Sequence, residues 1–152
     1  MLAKIFLELT EYPWFRRLAW KPIYNHLAKR FPFDNWVFMN YGFEPDEPSM
    51  RPELSEADEP DRYPLQLYYF LASQVDVAGK SMLEVGSGRG GGASSIARYL
   101  KPKEIVGMDI ADNAVAFASK RHNSPNLRYI TGNAEKIPFG DAQFDVVINV
   151  ES

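Results

Sequence analysis

The spacing of apolar residues changes along the chain, and the changes divide it into predicted elements. From Arg62, apolar side chains recur at helical spacing until Ala78-Gly79, where the helix is expected to stop. Beyond that point, short apolar runs alternate with helical segments. The runs predict strands and the segments between them predict helices: strands Ser81–Val85, Glu104–Asp109, Leu127–Thr131 and Phe144–Val150, and helices Ala93–Leu100 and Asp112 to about His122, with Asp112 as the N-cap.

Strands that alternate with helices at this interval predict right-handed βαβ units. The predicted fold class is therefore α/β, a doubly wound Rossmann-like parallel sheet of which the chain holds the first four strands. The continuous apolar run Val146-Val147-Ile148 predicts a strand that is covered on both faces.

Two further segments precede this sheet. Residues 1–43 are rich in aromatic side chains and are interrupted by prolines, which predicts an aromatic-rich cap of short helices. Two alternatives for the cap are a lid over a substrate and a surface helix within residues 1–31 that contacts lipid peripherally. Residues 44–61 contain four prolines and eight acidic residues, which predicts a solvated linker without regular structure. Residues 62–152 then form the N-terminal part of the Rossmann-like domain.

Composition excludes several classes of function. The chain has 152 residues, a net charge of -3 and no cysteine, so disulfides and cysteine-type zinc sites are excluded. The two histidines, His26 and His122, are far apart, and no metal site is predicted. No segment is basic enough for nucleic-acid binding, and no apolar run reaches the length of a membrane span. We therefore expect no nucleic-acid partner, and a cytoplasmic location.

A glycine-rich stretch after the first strand is the main candidate for ligand binding. Gly86, Gly88 and Gly90 or Gly91 permit a tight turn from strand to helix, in which a ligand approaches bare backbone amides. The following helix directs its positive end to the same place. Taken alone, such a glycine cluster is equally typical of a sharp turn without function.

The downstream strands strengthen the ligand interpretation, because each ends in a polar or glycine residue. Parallel strands bring these ends together at one edge of the sheet. Asp109 lies 21 residues after Gly88, where its carboxylate can accept both hydroxyls of a ribose. The third strand ends in Gly132-Asn133-Ala134, and the fourth ends in Asn149-Val150-Glu151-Ser152.

Two nucleotide cofactors suit this arrangement. The spacing Gly86-x-Gly88-x-x-Gly91 satisfies the dinucleotide fingerprint, so an NAD(P)-binding oxidoreductase fragment is one reading. Glu84, two residues before the first glycine, would repel a pyrophosphate but attract a cationic ligand such as S-adenosylmethionine. A non-catalytic nucleotide-binding module is a third reading.

Four segments carry a resemblance to the class I S-adenosylmethionine-dependent methyltransferases, of methyltransferase type 11: residues 83–91, 107–109, 132–139 and 144–149. Within that superfamily the chain is most similar to lipid and small-molecule enzymes of the phthiotriolone and phenolphthiotriolone dimycocerosate type. The resemblance implies S-adenosylmethionine as cofactor, and methyl transfer to an oxygen of a small-molecule or lipid acceptor. It also implies a longer fold, so we expect the chain to be a fragment that binds cofactor partially.

The resemblance further implies a set of cofactor-binding residues. The ribose would contact Asp109, and the adenine would contact Ile110, Asn133 and Ala134. The methionine part would contact residues of the first strand, the glycine loop and the fourth strand: Glu84, Gly86, Ser87, Gly88, Gly90 and Asn149. Asn133 departs from the Asp that is common there, which predicts weaker cofactor binding. The catalytic base is unassigned, and Glu151 is the candidate if the acceptor is a hydroxyl.

Overall fold

A computed structural model describes Tyr12, Phe15 and residues 36–151 of the chain. Most of the predicted N-terminal cap, including His26, lies outside these residues. Two 3₁₀ turns, Pro48–Met50 and Glu59–Asp61, precede the main domain. Helices and strands then alternate: α1 (Arg62–Ala72), β1 (Ser81–Val85), α2 (Gly91–Tyr99), β2 (Glu104–Asp109), α3 (Asp112–Arg121), β3 (Leu127–Thr131) and β4 (Val146–Asn149).

The four strands form one parallel sheet in the order β3-β2-β1-β4. Leu83 of β1 is in register with Val106 of β2 on one side and with Val147 of β4 on the other. The chain therefore passes from β1 to β2 and β3 in one direction, and then crosses back to pair β4 with the opposite edge of β1. This reversal leaves a cleft beyond the carboxyl ends of the strands. The sheet confirms the predicted Rossmann-like fold class.

Alternate residues of each strand contribute to two hydrophobic cores, one on each face of the sheet. The first core combines strand residues with side chains from α1 and α2, including Leu65, Ala72, Met82, Ile96, Ile105 and Ile148. The second core contains Leu83, Val85, Val106 and Met108, with Ile130, Phe139 and Phe144 packed against it. Phe139 and Phe144 meet edge to face, with their ring centroids 4.8 Å apart.

The prediction for β4 was wrong in one respect. Ile148 is buried in the core that α1 and α2 form, but Val147 points to the opposite face and is 58% exposed. The run of three apolar residues suggested a strand covered on both faces, but among residues 36–151 only the face that carries Val146 and Ile148 packs against a core. β4 also spans Val146–Asn149, which is shorter at both ends than the predicted Phe144–Val150.

The acidic segment 44–61 is more ordered than predicted, since it contains both 3₁₀ turns and is bound to α2. The Asp58 carboxylate accepts hydrogen bonds from Arg98, from the Tyr99 hydroxyl and from the Ser55 hydroxyl. Burial alone would raise the pKa of Asp58, but these hydrogen bonds outweigh it and lower the pKa to about 2. Asp58 therefore fixes this segment to α2 as a charged group.

The helix boundaries differ from the predictions at their ends. α1 ends at Ala72, before the predicted stop at Ala78-Gly79. The N-cap of α3 is Ala111, not Asp112, and the Ala111 amide donates to Asp109 Oδ1 at 2.8 Å. Among the described residues, none of the helices has the length and apolar character to cross a membrane.

Candidate cofactor site

A hollow of about 220 Å³ lies at the carboxyl edge of the sheet. Residues at the ends of all four strands form its wall. Six of the lining residues were predicted from the sequence: Gly86, Asp109, Ile110, Asn133, Ala134 and Asn149. The other three are Val85, Met108 and Gly132. The other four predicted residues, Glu84, Ser87, Gly88 and Gly90, do not line it. The strand ends thus converge as expected, while part of the glycine loop faces elsewhere.

Asp109 occupies the centre of this edge, and its carboxylate is held in place by two backbone amides. Gly88 N donates to Oδ2 at 2.7 Å, and Ala111 N donates to Oδ1 at 2.8 Å. A carboxylate has about four lone-pair sites, so each oxygen keeps capacity for another donor. Asp109 is therefore fixed in orientation and can still accept two hydroxyl groups.

The glycine loop, residues 86–91, does not present the bare amides that its composition suggested. The amides of Gly86 and Ser87 both donate to Met108 O, and the amide of Gly90 donates to Ser87 O. The amide of Gly91 donates to Val37 O at 3.2 Å. Together with the Gly88 amide on Asp109, five amides of the loop are already hydrogen-bonded within the chain. That prediction was wrong because glycine spacing reports backbone freedom, not what the freed amides bind.

Glu84 is 1% exposed and lies behind the loop, against the first turn of α2. A Cβ on Gly92 would lie 2.6 Å from Glu84 Oε1, so the carboxylate packs directly on the bare backbone of that helix. Among the described residues, neither carboxylate oxygen has a hydrogen-bond partner of good geometry. Burial raises the pKa of Glu84 to about 7; the nearby Tyr68 hydroxyl and Ala93 amide oppose this, and the charge of Asp109 adds to it.

The two asparagines of the hollow are differently engaged. Asn133 Oδ1 accepts from the Glu135 amide at 2.9 Å, which closes a local turn. The oxygen that the sequence assigned to the adenine amino group therefore already has one donor and retains a single lone pair. Asn149 Nδ2 donates to Val85 O at 3.3 Å, which ties the end of β4 to the end of β1.

The last part of the predicted aromatic-rich cap lies across the loop. Residues 36–41, which we call the strap, bond the loop through Val37 O and bury Phe38 in the first core. A Cβ on Gly88 would lie 3.8 Å from the Met39 sulfur. The exposed strap side chains are apolar: Trp36, Met39 and Tyr41 are 39%, 48% and 98% exposed. The uncharged run 35–43, between charged neighbours, was the signal available in the sequence.

Glu151, the candidate base, is exposed and anchors the far end of the strap. Its Oε2 accepts from the Tyr41 amide at 3.2 Å. Its backbone is in the left-handed region, with φ of 53°, which is uncommon for a residue other than glycine. The side chain thus stands at the same edge as the hollow, with one of its oxygens bonded to the strap.

The part of the chain that contains the hollow is also similar to known proteins. Residues 83–152 match a family described as "Methyltransferase domain". This match confirms the resemblance predicted from residues 83–149. A fatty-acid O-methyltransferase of Mycolicibacterium smegmatis is 46% identical over 134 residues, which is 88% of this chain and 48% of the relative. A phthiotriol/phenolphthiotriol dimycocerosates methyltransferase of Mycobacterium tuberculosis is 41% identical over 88% of this chain and 49% of its own length.

The chain spans about half the length of these curated relatives. A solved structure of a putative sarcosine dimethylglycine methyltransferase from Galdieria sulphuraria matches with a TM-score of 0.62 and 22% identity, covering 83% of this chain and 48% of that chain. At this identity the match supports the methyltransferase fold alone.

Proposed function

We propose that this chain binds S-adenosylmethionine in the hollow and supplies the cofactor side of a methyltransferase that acts on an oxygen of a fatty-acid-type lipid. The observation that carries the proposal is the Asp109 carboxylate, fixed by two amides at the converging ends of four strands. The similarity to lipid methyltransferases supports the acceptor class.

The residues present suit this cofactor. The hollow is smaller than the roughly 300 to 1,000 Å³ of a typical ligand pocket, which suits the nucleoside part. Asp109 would accept the ribose hydroxyls, while Ile110 and Met108 would contact the adenine. Glu84 is a buried acid that has no hydrogen-bond partner of good geometry in the part of the chain that the structure describes, and a cationic group bound at the loop would stabilise its charged form.

The same features disfavour a dinucleotide. A pyrophosphate needs free backbone amides, and five amides of the glycine loop are already used by Met108, Asp109, Ser87 and Val37. Glu84 behind the loop adds a negative charge where a phosphate would lie. A cofactor that carries an ammonium and a sulfonium but no phosphate meets neither obstacle.

When bound, S-adenosylmethionine supplies an electrophilic methyl group on a sulfonium. That methyl group would pass to an acceptor oxygen, so the residues of the hollow would have to align donor and acceptor and exclude water. A fatty-acid carboxylate is already ionised near neutral pH and needs no base. If the acceptor is a hydroxyl, Glu151 is positioned at the correct edge to accept its proton.

The strap would form one wall of the acceptor site. It crosses the loop beside Gly88, it carries no charge, and Met39 and Tyr41 expose apolar surface at the edge of the cleft. Such a surface suits an alkyl chain, whose transfer from water is favourable in proportion to the apolar area that it covers. The cytoplasmic location remains a prediction from the sequence.

Calorimetry with S-adenosylhomocysteine and NAD⁺ in parallel tests the cofactor assignment. We expect saturable binding of S-adenosylhomocysteine at one site, and no heat from NAD⁺ at concentrations that saturate the first ligand. Binding of NAD⁺ alone would overturn the proposal in favour of an oxidoreductase. Binding of S-adenosylhomocysteine without methyl transfer to any fatty acid would favour a non-catalytic module.

A further inference from the structure

The side of the glycine loop away from Asp109 is held by two side chains from the next βαβ unit. The Tyr129 hydroxyl, from β3, donates to Gly90 O at 2.7 Å. The His122 ring, at the C-cap of α3, lies with Nε2 3.1 Å from Arg89 O. Two successive carbonyls of the loop are therefore bonded by residues that do not line the hollow.

Two glycines provide the space for Tyr129. A Cβ on Gly90 would lie 2.6 Å from the Tyr129 hydroxyl oxygen, and a Cβ on Gly107 would lie 2.5 Å from its ring carbon Cδ1. Real Cβ atoms do not approach so closely, so both positions require glycine while Tyr129 is present. Gly90 also has φ of 85°, which glycine adopts readily. Gly107 is thus explained by Tyr129 and not by the cofactor.

The loop is held on this side by more than one kind of contact. The Arg89 guanidinium stacks 3.6 Å from the centroid of the Phe117 ring, on α3. Burial raises the pKa of the Tyr129 hydroxyl, and the charge of Glu84 raises it further, so this group remains a protonated donor at ordinary pH. Burial lowers the pKa of His122, and the charges of Arg121 and Arg98 lower it further, against the bond to the Arg89 carbonyl, which raises it.

We propose that Tyr129, assisted by His122, is a positioning residue that holds residues 86–91 in the shape that binds cofactor. The geometric reason is that Gly88 N must reach Asp109 on one side of the loop while Gly90 O is bonded to Tyr129 on the other. Without the second bond, the loop can rotate about its glycines and release the Asp109 carboxylate from its fixed orientation. The inference rests on the proposed cofactor function.

A purely structural role for Tyr129 makes a different prediction, and a matched pair of variants separates the two. Tyr129→Phe removes the hydroxyl and keeps the ring that packs against Gly107. Tyr99→Phe removes a half-buried hydroxyl that donates to Asp58 and accepts from the Ser55 amide, at the other end of α2 from the loop. Tyr129→Phe loses the bond to Gly90, and Tyr99→Phe loses the bonds to Asp58 and Ser55, so both variants are expected to melt at a somewhat lower temperature.

The test is calorimetric binding of S-adenosylhomocysteine to the wild type and both variants, alongside thermal melts. We expect Tyr129→Phe to weaken binding about three- to tenfold and Tyr99→Phe to stay within about twofold of the wild type. Equal affinity of Tyr129→Phe and the wild type would overturn the proposal, even if its melting temperature falls.

Amide hydrogen exchange on the ligand-free proteins gives a readout that does not depend on the cofactor. We expect the amides of residues 86–91 to exchange faster in Tyr129→Phe and unchanged in Tyr99→Phe. If the wild type binds no S-adenosylhomocysteine, the proposed function fails, while the exchange rates still decide whether Tyr129 holds the loop. Unchanged exchange in Tyr129→Phe would contradict the positioning role.

Discussion

The Gly88 amide donates a hydrogen bond of 2.7 Å to Oδ2 of Asp109. This bond joins the glycine loop after β1 to the end of β2, and it explains the spacing of 21 residues between the two positions. The loop and the acidic residue are therefore one unit, in which each fixes the conformation of the other.

Replacing Asp109 by Asn should affect binding and stability together. An Asn side chain has one acceptor oxygen, so either Gly88 N or Ala111 N loses its partner. We expect unfolding free energy to fall by about 1 to 3 kcal/mol and S-adenosylhomocysteine affinity to fall at least tenfold. Asp141→Asn, on an exposed loop, is the control and should match the wild type in urea unfolding and calorimetry. Wild-type affinity in Asp109→Asn would rule out the ribose role.

The sequence predicted the sheet better than the surroundings of the site. The bounds of β1, β2 and β3 were correct: β1 and β2 are buried strands that leave short apolar runs, and β3, although every residue in it is at least partly exposed, is a short run between turn residues. The hollow was also predicted in large part, since strand ends of a parallel sheet meet at one edge. What could not be predicted depends on long-range contacts. Neither the partner of Asp58, 40 residues away at Arg98, nor the bond from Tyr129 to Gly90 leaves a periodic pattern.

Asp58 gives a prediction about stability and pH. Its pKa is lowered to about 2 in the folded state, below the ordinary value of 3.8 for an aspartate, so its contribution is fully present above about pH 4 and is lost as the pH falls through 2. Asp58→Asn should reduce the unfolding free energy at pH 7 by about 1 to 2 kcal/mol, a figure that allows for the exposure of Arg98. Urea unfolding at pH 7, 5, 4 and 3 should show the deficit shrinking only below pH 4.

Asp46→Asn, in the same acidic segment but exposed, is the control for the Asp58 variant. It should leave the unfolding free energy within about 0.5 kcal/mol of the wild type at each pH. An equal effect of the two variants would show that general charge in the segment, not the bond to Arg98, accounts for the result.

The strap gives a prediction about the acceptor. Met39→Glu and Tyr41→Asp place a charge on the wall where we propose that an alkyl chain lies, so they should weaken binding of a fluorescent long-chain fatty acid about tenfold. Met50→Glu, an equally exposed methionine in the first 3₁₀ turn, is the control. S-adenosylhomocysteine affinity should stay unchanged in all three. If the wild type binds no fatty acid in the presence of S-adenosylhomocysteine, the strap is not an acceptor wall.

Glu84 carries the central electrostatic claim, that the site is built for a cationic cofactor. In the free protein, burial raises the pKa of Glu84 to about 7. The protonated carboxyl therefore favours folding, and its contribution to the unfolding free energy is lost as the pH rises through 7. A bound ammonium stabilises the charged form and should release a proton. Glu84→Gln should therefore be more stable than the wild type at pH 8, yet bind S-adenosylhomocysteine about tenfold more weakly.

The most direct measurement is the number of protons released when S-adenosylhomocysteine binds, obtained by calorimetry in buffers of different ionisation enthalpy. The account predicts release of nearly one proton at pH 6, almost none at pH 8, and none at either pH in Glu84→Gln. Binding to the wild type without proton release at pH 6, or unchanged affinity in Glu84→Gln, would contradict it.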